Sequence, residues 1–391
     1  MSTHSHTIVI GAGGAMGSST CYHLARRGQR VLGLDQFPIA HDRGSSHGLS
    51  RMIRMCYYEH PDYVPLLRRA YELWGDLERE SGECLLHITG GLYMGRPEDE
   101  AVAGSLRAAV EHGLPHEMLA RADLARRYPQ FVVPDDFVGL LEPAAGWLAP
   151  ERCIAAAARL AVGSGATIRT GERVLEWHAD STGVVVRTTA GEYRARSLVI
   201  AAGAWANRVV GDLGVAITPT RQVLGWFRPR MAHLFAAGVL PVWAMQATAE
   251  FGGDLFYGFP SSGEGELGEG FKLARHVAGP AVDPDGFDRA SRPGDERDIR
   301  PFLSRFIPEA SGELLGLRIC MYENSPDQHF MIDRHPTHQN VIVAAGFSGH
   351  GFKFASVVGE VLADLATRGE TRHPIGFLGL SRFDRPGPRA A

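Results

Sequence analysis

The sequence predicts an α/β fold, α+β over the chain as a whole. Both ends would build a Rossmann-like nucleotide-binding domain, with a mixed-sheet domain inserted in it. Three observations carry this expectation. The first 35 residues read as strand, glycine turn, helix and second strand, a βαβ unit. The same character returns near the other end, with strand, turn and helix between Val341 and Thr367. Between them, residues 219–319 are rich in Pro, Gly and alternating aromatics, the composition of a second, mixed sheet. A length of 391 residues accommodates two or three domains. Segments 1–83, 146–218 and 320–391 are therefore expected to form the discontinuous nucleotide domain. Segments 84–145 and 219–319 would supply the substrate and catalytic domain.

The elements follow in order. Ile8-Val9-Ile10 is a short apolar strand entered from a polar N-terminus. Met16 to Arg27 carries Cys21, Leu24 and Ala25 at helical spacing, and Gly28 stands where a helix C-cap belongs. Val31 to Leu34 is the second strand, ending at Asp35. Ala40 to Ser50 is polar and glycine-rich, an ordered loop full of donors. Tyr63 to Ser81 is strongly helical, with Leu66, Leu67, Ala70, Leu73, Trp74 and Leu77 on one face. Residues 84–145 mix short strands and helices. A helix is expected over Ala155–Gly165, and strands over Thr167–Val174, Val184–Thr188 and Leu198–Ala202. Val341 to Ala345 is a buried strand, Gly346 to Gly351 a turn, and Phe354 to Thr367 a helix. Arg382 to Ala391 is rich in Arg and Pro and is expected to fray.

Composition narrows the function. Apolar residues make up 45% and charged residues 21%, which sets aside disordered, collagenous and disulfide-scaffold classes. A net charge of −4 gives no reason to expect nucleic-acid or anionic-membrane binding. The five cysteines are odd in number and none has C-x-x-C spacing, so neither a disulfide framework nor a metal site is expected. The N-terminus lacks the apolar core of a signal peptide, and no apolar run approaches the ~18 residues of a membrane span. A soluble, reduced, cytoplasmic protein is expected.

The turn Gly11-Ala12-Gly13-Gly14-Ala15-Met16-Gly17 follows a strand and opens a helix. Backbone amides and the positive helix end can hold a pyrophosphate there. Asp35, 24 positions after Gly11, suits an adenosine ribose hydroxyl. FAD and NAD both fit this reading. The spacing is irregular: Met16 stands where the third glycine belongs and Gly17 follows, so one residue is added to the turn.

The loop His41-Asp42-Arg43-Gly44-Ser45-Ser46-His47-Gly48-Leu49-Ser50-Arg51-Met52-Ile53-Arg54 resembles the signature of the monomeric sarcosine oxidase family, which includes N-methyltryptophan oxidase and peroxisomal pipecolate/sarcosine oxidase. Three later segments resemble the same family in order: Phe271 to His276, Arg318 to Tyr322, and Ala345 to Phe354. The departures are the added turn residue, a longer Ser262–Gly270 stretch, and Ser50 where some members have threonine.

The resemblance implies an FAD-binding Rossmann-like domain and covalent attachment of FAD to Cys320 through a thioether at the flavin 8α carbon. Without it, an isolated cysteine would read as a small buried hydrophobe. It implies cofactor contacts from Gly11, Gly13, Gly17 and Asp35, and from Arg43, Ser45, Ser46, His47 and Ser50. Val174, Gly203, Trp205, Gly346, Gly349 and Gly351 complete that set, with His350 a further flavin neighbour. Arg51 would face the flavin ring, Lys272 would activate oxygen, and His276, Tyr257 and Tyr322 would line the substrate pocket. Arg54 sits among Met52, Ile53, Met55 and Cys56, so its guanidinium is expected to be buried and to need an anion. A substrate carboxylate suits its planar fork, with Lys353 as second ligand and Tyr57 and Glu59 holding Arg54.

The implied reaction is oxidation of a secondary or N-methyl amino acid by hydride transfer to flavin. O2 would be reduced to hydrogen peroxide and the imine hydrolysed, giving formaldehyde from an N-methyl substrate. The partners would be a small amino acid and O2, and the protein a monomer. A dehydrogenase with a non-oxygen acceptor and a non-catalytic nucleotide-binding protein remain alternatives. Substrate choice would depend on pocket volume near residues 243–257.

Overall fold

The computed structural model describes residues 4–384, apart from Asp212 and Glu264. The frayed tail expected after Arg382 lies mostly outside the described residues. What is described of it is a single 3-10 turn, Leu380–Phe383, and Asp384.

Among the described residues the strands form two eight-stranded sheets and one of three strands. In the first sheet, His4–Ile10 lies between Glu192–Ile200 and Val31–Leu34, and Thr167–Arg169 follows Val31–Leu34, all in parallel. Val341–Ala345 pairs in parallel with the far half of Glu192–Ile200, whose near half pairs antiparallel with Gly183–Thr188. These central strands are buried on both faces, which explains their unbroken apolar runs. Helix Ala15–Arg26 packs between Ala355–Arg368 and Pro150–Gly163 on one side of the sheet.

The second sheet runs Leu314–Asn324, Thr218–Phe227, Phe271–His276, Leu255–Phe259, Val242–Gln246, Gly91–Gly95, Val138–Glu142 and Glu117–Leu119. Its pairs are antiparallel except Val242–Gln246 with Gly91–Gly95. An aromatic core supports it, in which the Phe256 and Phe302 rings stack 3.8 Å apart. The small sheet joins Arg51–Ile53, Gly146–Leu148 and Leu86–Ile88.

Several boundaries differ from expectation for local reasons. The helix expected from Ala155 starts at Pro150, because a proline in the first turn is preset for helix. The strand expected over Thr167–Val174 is two strands, Thr167–Arg169 and Val174–Asp180. The chain turns between them, where the Glu172 amide donates to the Asp35 carbonyl. The strand expected over Leu198–Ala202 runs Glu192–Ile200, lengthened by its hairpin with Gly183–Thr188. The last helix begins at Ala355, after a 3-10 turn Phe352–Phe354.

Candidate active site

The parallel strands end at one cavity of about 450 Å³. Ile10, Gly11, Leu34, Asp35, Ala201 and Ala202 line its first end, beyond the carboxyl ends of the strands, where α/β sheets bind ligands. The added residue of the glycine turn is absorbed before the helix. Gly11 takes a φ of 90° against the Ala201 carbonyl, and Gly17, in the first helical turn, presses on the Gly11 carbonyl. A Cβ at either position would collide with backbone. Gly17 thus makes the close helix–strand approach, and Gly13 donates its amide to Asp35 Oδ2 at 2.8 Å. The Phe37 amide holds Oδ1 at 2.8 Å. Burial pushes Asp35 up to about 6, against the pull of those two amides.

At the other end, strands of the second sheet supply Tyr257, His276, Cys320 and Tyr322. Tyr322 Oη lies 3.2 Å from His276 Nδ1 and 3.4 Å from Tyr257 Oη. Burial lowers His276 to about 4, so its ring is neutral at neutral pH. Burial also raises both phenols, which keep their protons. The Cys320 thiol is pushed up by burial and pulled down by Arg51 and Lys272.

Two pairs of cations flank this end. Lys272 Nζ donates to the Gly48 and Ser50 carbonyls at 2.6 and 2.8 Å and lies 3.0 Å from Ser50 Oγ. Burial, reinforced by Arg51, drives Lys272 well below an ordinary lysine. Arg51 donates to the Ser50 and Ser45 carbonyls. Across the cavity, Arg54 donates to the Cys56 carbonyl at 3.0 Å and to Glu59 Oε2 at 2.5 Å. Its guanidinium stacks 4.3 Å from the centres of the Tyr57 and Tyr58 rings. Burial opposes the charge of Arg54, but Glu59 and the phenols outweigh it. Burial likewise opposes ionisation of Glu59, and Arg54, His350 and Lys353 hold it down at about 2. Lys353 donates to the His350 carbonyl at 2.8 Å; burial and Arg54 lower it to about 7.

The cavity therefore brings together Gly11, Gly13, Asp35, Ser45, Ser46, Arg51 and Arg54 from the first part of the chain. It adds Val174, Gly203, Trp205, Tyr257, His276, Cys320, Tyr322, Gly349, His350, Gly351 and Lys353. Gly17, Arg43, His47, Ser50, Lys272 and Gly346 do not line it. Gly17 and Ser50 act from behind the wall. Arg43 is half exposed and pairs with Asp42. His47 is buried and lowered to about 3 by burial and Arg51.

Sequence reading missed three supporting groups. Glu151 accepts the Gly48 and Leu49 amides. Buried Glu142 accepts the Met55 and Cys56 amides and the Tyr93 hydroxyl. Glu323 lines the cavity beside Tyr322. Only the fold brings these carboxylates, distant in sequence, to their loops; Glu323 alone had a signal, its place next to the Arg318–Tyr322 motif.

A sequence profile of the FAD dependent oxidoreductase family matches residues 6–365. The monomeric sarcosine oxidase of Streptomyces avermitilis is 45% identical over 379 residues, spanning 96% of this chain and 97% of that protein. The chain belongs to the monomeric sarcosine oxidase/N-methyltryptophan oxidase family. Another member, the N-methyl-L-tryptophan oxidase of Salmonella dublin, is 35% identical over 97% of this chain and 99% of its own. The solved structure of NikD, an unusual amino acid oxidase, superposes with a TM-score of 0.83 at 26% identity, covering 96% of this chain and 97% of that one.

As a member of this family the chain is a flavin-dependent amine oxidase, and its cavity fits FAD at both ends. The amides of Gly11 to Gly14 are already held by Leu34, Asp35 and Gly11, so the start of helix Ala15–Arg26 is the part of the turn suited to a diphosphate. Asp35 sits where this type of fold meets a ribose. Arg51, Cys320 and Tyr322 border the space left for a ring.

Proposed function

We propose that the protein oxidises a secondary or N-methyl amino acid, using FAD joined to Cys320 and O2 as acceptor. The observation that carries this is convergence. Arg54 from the first hundred residues and Lys353 from the last fifty meet on one cavity, facing Tyr257, His276, Tyr322 and Cys320.

When bound, FAD supplies a two-electron acceptor for the carbon next to the substrate nitrogen and passes the electrons to O2. The chain's own residues prepare that event. Arg54 and Lys353 bind and orient the substrate carboxylate, so the donor carbon is presented in one geometry. The same cations disfavour a substrate ammonium and so favour the free amine, whose lone pair assists oxidation. Tyr257 and Tyr322 fix His276 and keep out water. Lys272 holds positive charge, or a proton, close to where oxygen acquires an electron. Arg51 and Lys272 favour the Cys320 thiolate that attachment requires.

We assign residues 1–83, 146–218 and 320–391 to FAD binding and 84–145 with 219–319 to the substrate. The boundary at 320 falls within the strand Leu314–Asn324, so the two units share it. We take the protein to act as a monomer in the cytoplasm; among the described residues no helix is long and apolar enough to cross a membrane.

Peroxide release from a panel of sarcosine, N-methyltryptophan, pipecolate and related amines tests the reaction. Turnover with an artificial electron acceptor but no oxygen uptake would instead make it a dehydrogenase. Flavin that stays with acid-precipitated protein, and is released from Cys320→Ala, tests the linkage. A covalent flavin peptide persisting in Cys320→Ala would remove Cys320 from this role.

A further inference from the structure

Glu323 follows Tyr322 on the strand that carries Cys320, with its side chain on the opposite face. It is 6% exposed and lines the cavity. The amides of Gly346 and Phe347 are directed at its carboxyl group, but its Oε2 is buried and has no partner among the described residues. That oxygen stands 4.0 Å from where a Cβ on Gly203 would lie. Gly203 is two residues from Ala201, whose carbonyl touches Gly11. Glu323 thus lies between the glycine turn, which suits the pyrophosphate, and Cys320, which borders the ring.

A buried polar atom left alone is costly, so an orphaned oxygen on a residue of the cavity wall calls for a partner that the protein alone does not supply. An ionised carboxylate there would repel a diphosphate, whereas a protonated one can donate. No cation among the described residues pairs with it, and burial raises the group to about 8 against the two amides. Resting on the FAD reading above, we infer that Glu323 is a cofactor-binding residue. As an uncharged carboxylic acid it donates a hydrogen bond to an oxygen of the ribityl chain.

The test uses the full chain as apoprotein, in a Cys320→Ala parent where FAD binds reversibly. FAD is titrated by flavin fluorescence, and thermal midpoints are taken with and without it. Glu323→Gln, which keeps an uncharged donor, should bind FAD within about twofold of the parent. Glu323→Met, which keeps the volume and loses the donor, should bind about three- to tenfold more weakly. The apo midpoint of Glu323→Met should be unchanged or higher, because the orphaned oxygen is gone. Equal affinity of Glu323→Met and the parent would overturn the assignment. So would Glu323→Gln as weak as Glu323→Met, or a lower apo midpoint in Glu323→Met with unchanged affinity, the mark of a residue that merely holds the 346–348 turn. A folded parent that binds no FAD would overturn the cofactor reading itself, and Glu323's role with it.

Discussion

Arg54 meets any incoming carboxylate already engaged with Glu59, and Lys353 already donates to a backbone carbonyl. On the proposed binding mode a substrate carboxylate must compete for both groups, and each charge-assisted hydrogen bond it forms would contribute ~1.5–3 kcal/mol. Arg54→Ala or Lys353→Ala should weaken carboxylate ligands by about one to two powers of ten, by the ~1.4 kcal/mol-per-decade rule. A neutral analogue of the same shape should lose much less. Anaerobic titration of both ligand types decides it, and equal losses would show that neither cation reads the carboxylate. A pH dependence follows from Lys353 at about 7. Below that pH it is cationic and attracts an anion; above it the charge is lost. Carboxylate inhibitors should bind more weakly as pH rises through 7 and upward, since the bound anion itself raises the lysine. His276 and His350, at about 4 and 3, are neutral throughout this window. The slope should disappear in Lys353→Met. In the proposed mechanism Lys272 serves the other half-reaction. Lys272→Met should slow flavin reoxidation by roughly 100- to 1000-fold while anaerobic reduction changes far less, since losing a preorganised charge costs ~3–4 kcal/mol. Stopped-flow traces of the two halves separate them, and an unchanged reoxidation rate would end the proposal for Lys272.

At the scale of elements, the glycine turn and the helix after it act as one part. Gly17→Ala places a methyl group against the Gly11 carbonyl. Relieving that clash means moving helix Ala15–Arg26 away from the first strand, at a cost of ~1–3 kcal/mol by analogy with overpacked cores. Lower flavin content and a lower thermal midpoint are expected together; a fully loaded, undisturbed variant would contradict the close approach. Much of this is legible in sequence. Tyr63–Ser81 has the expected limits, because its apolar stripe repeats at helical spacing and Gly82 caps it with a φ of 72°. Val341–Ala345 also has the expected limits, whereas the strands expected over Thr167–Val174 and Leu198–Ala202 depart because pairing, not local pattern, sets their ends. Residues 192–195 are strand because 184–187 lie on one side of them and His4 and Ser5 on the other side of 194–195. The site divides likewise: contiguous motifs mark the segments that reach the cavity, though Arg43, His47, Ser50, Lys272 and Gly346 stand off its wall, whereas Glu142 and Glu151 reach their loops only through tertiary packing.

The whole molecule depends on two sheets meeting around one ligand. Lys272 of the second sheet is bonded to the Gly48–Ser50 loop, and the strand Leu314–Asn324 reaches the turn after Val341–Ala345 through an Asn324–Phe347 bridge. Damage deep in the aromatic core should therefore reach the cofactor. Phe302→Ala removes the ring stacked on Phe256 and should cost ~3–5 kcal/mol. Calorimetry and flavin fluorescence should report its loss in one shared transition at a lower temperature. Flavin fluorescence rising well below an unchanged calorimetric transition would mean the sheets are less coupled than their contacts imply.

The pairing of Leu314–Asn324 with Thr218–Phe227 also limits which changes in chain length are tolerable. Opposite register positions run without a break from Thr218 with Asn324 to Trp226 with Gly316, and the one irregularity lies at Phe227 and Leu314. Side chains alternate along such a strand, so inserting or deleting one residue between Gly316 and Asn324 would exchange its two faces. Cys320 and Tyr322 would turn from the cavity, and Met321 and Glu323 would change sides with them. An insertion before Leu314 meets slack at the irregularity instead, and the Ser262–Gly270 stretch lies outside the ladder altogether. Length variation in descendants of this chain should collect in those two places and stop at Gly316.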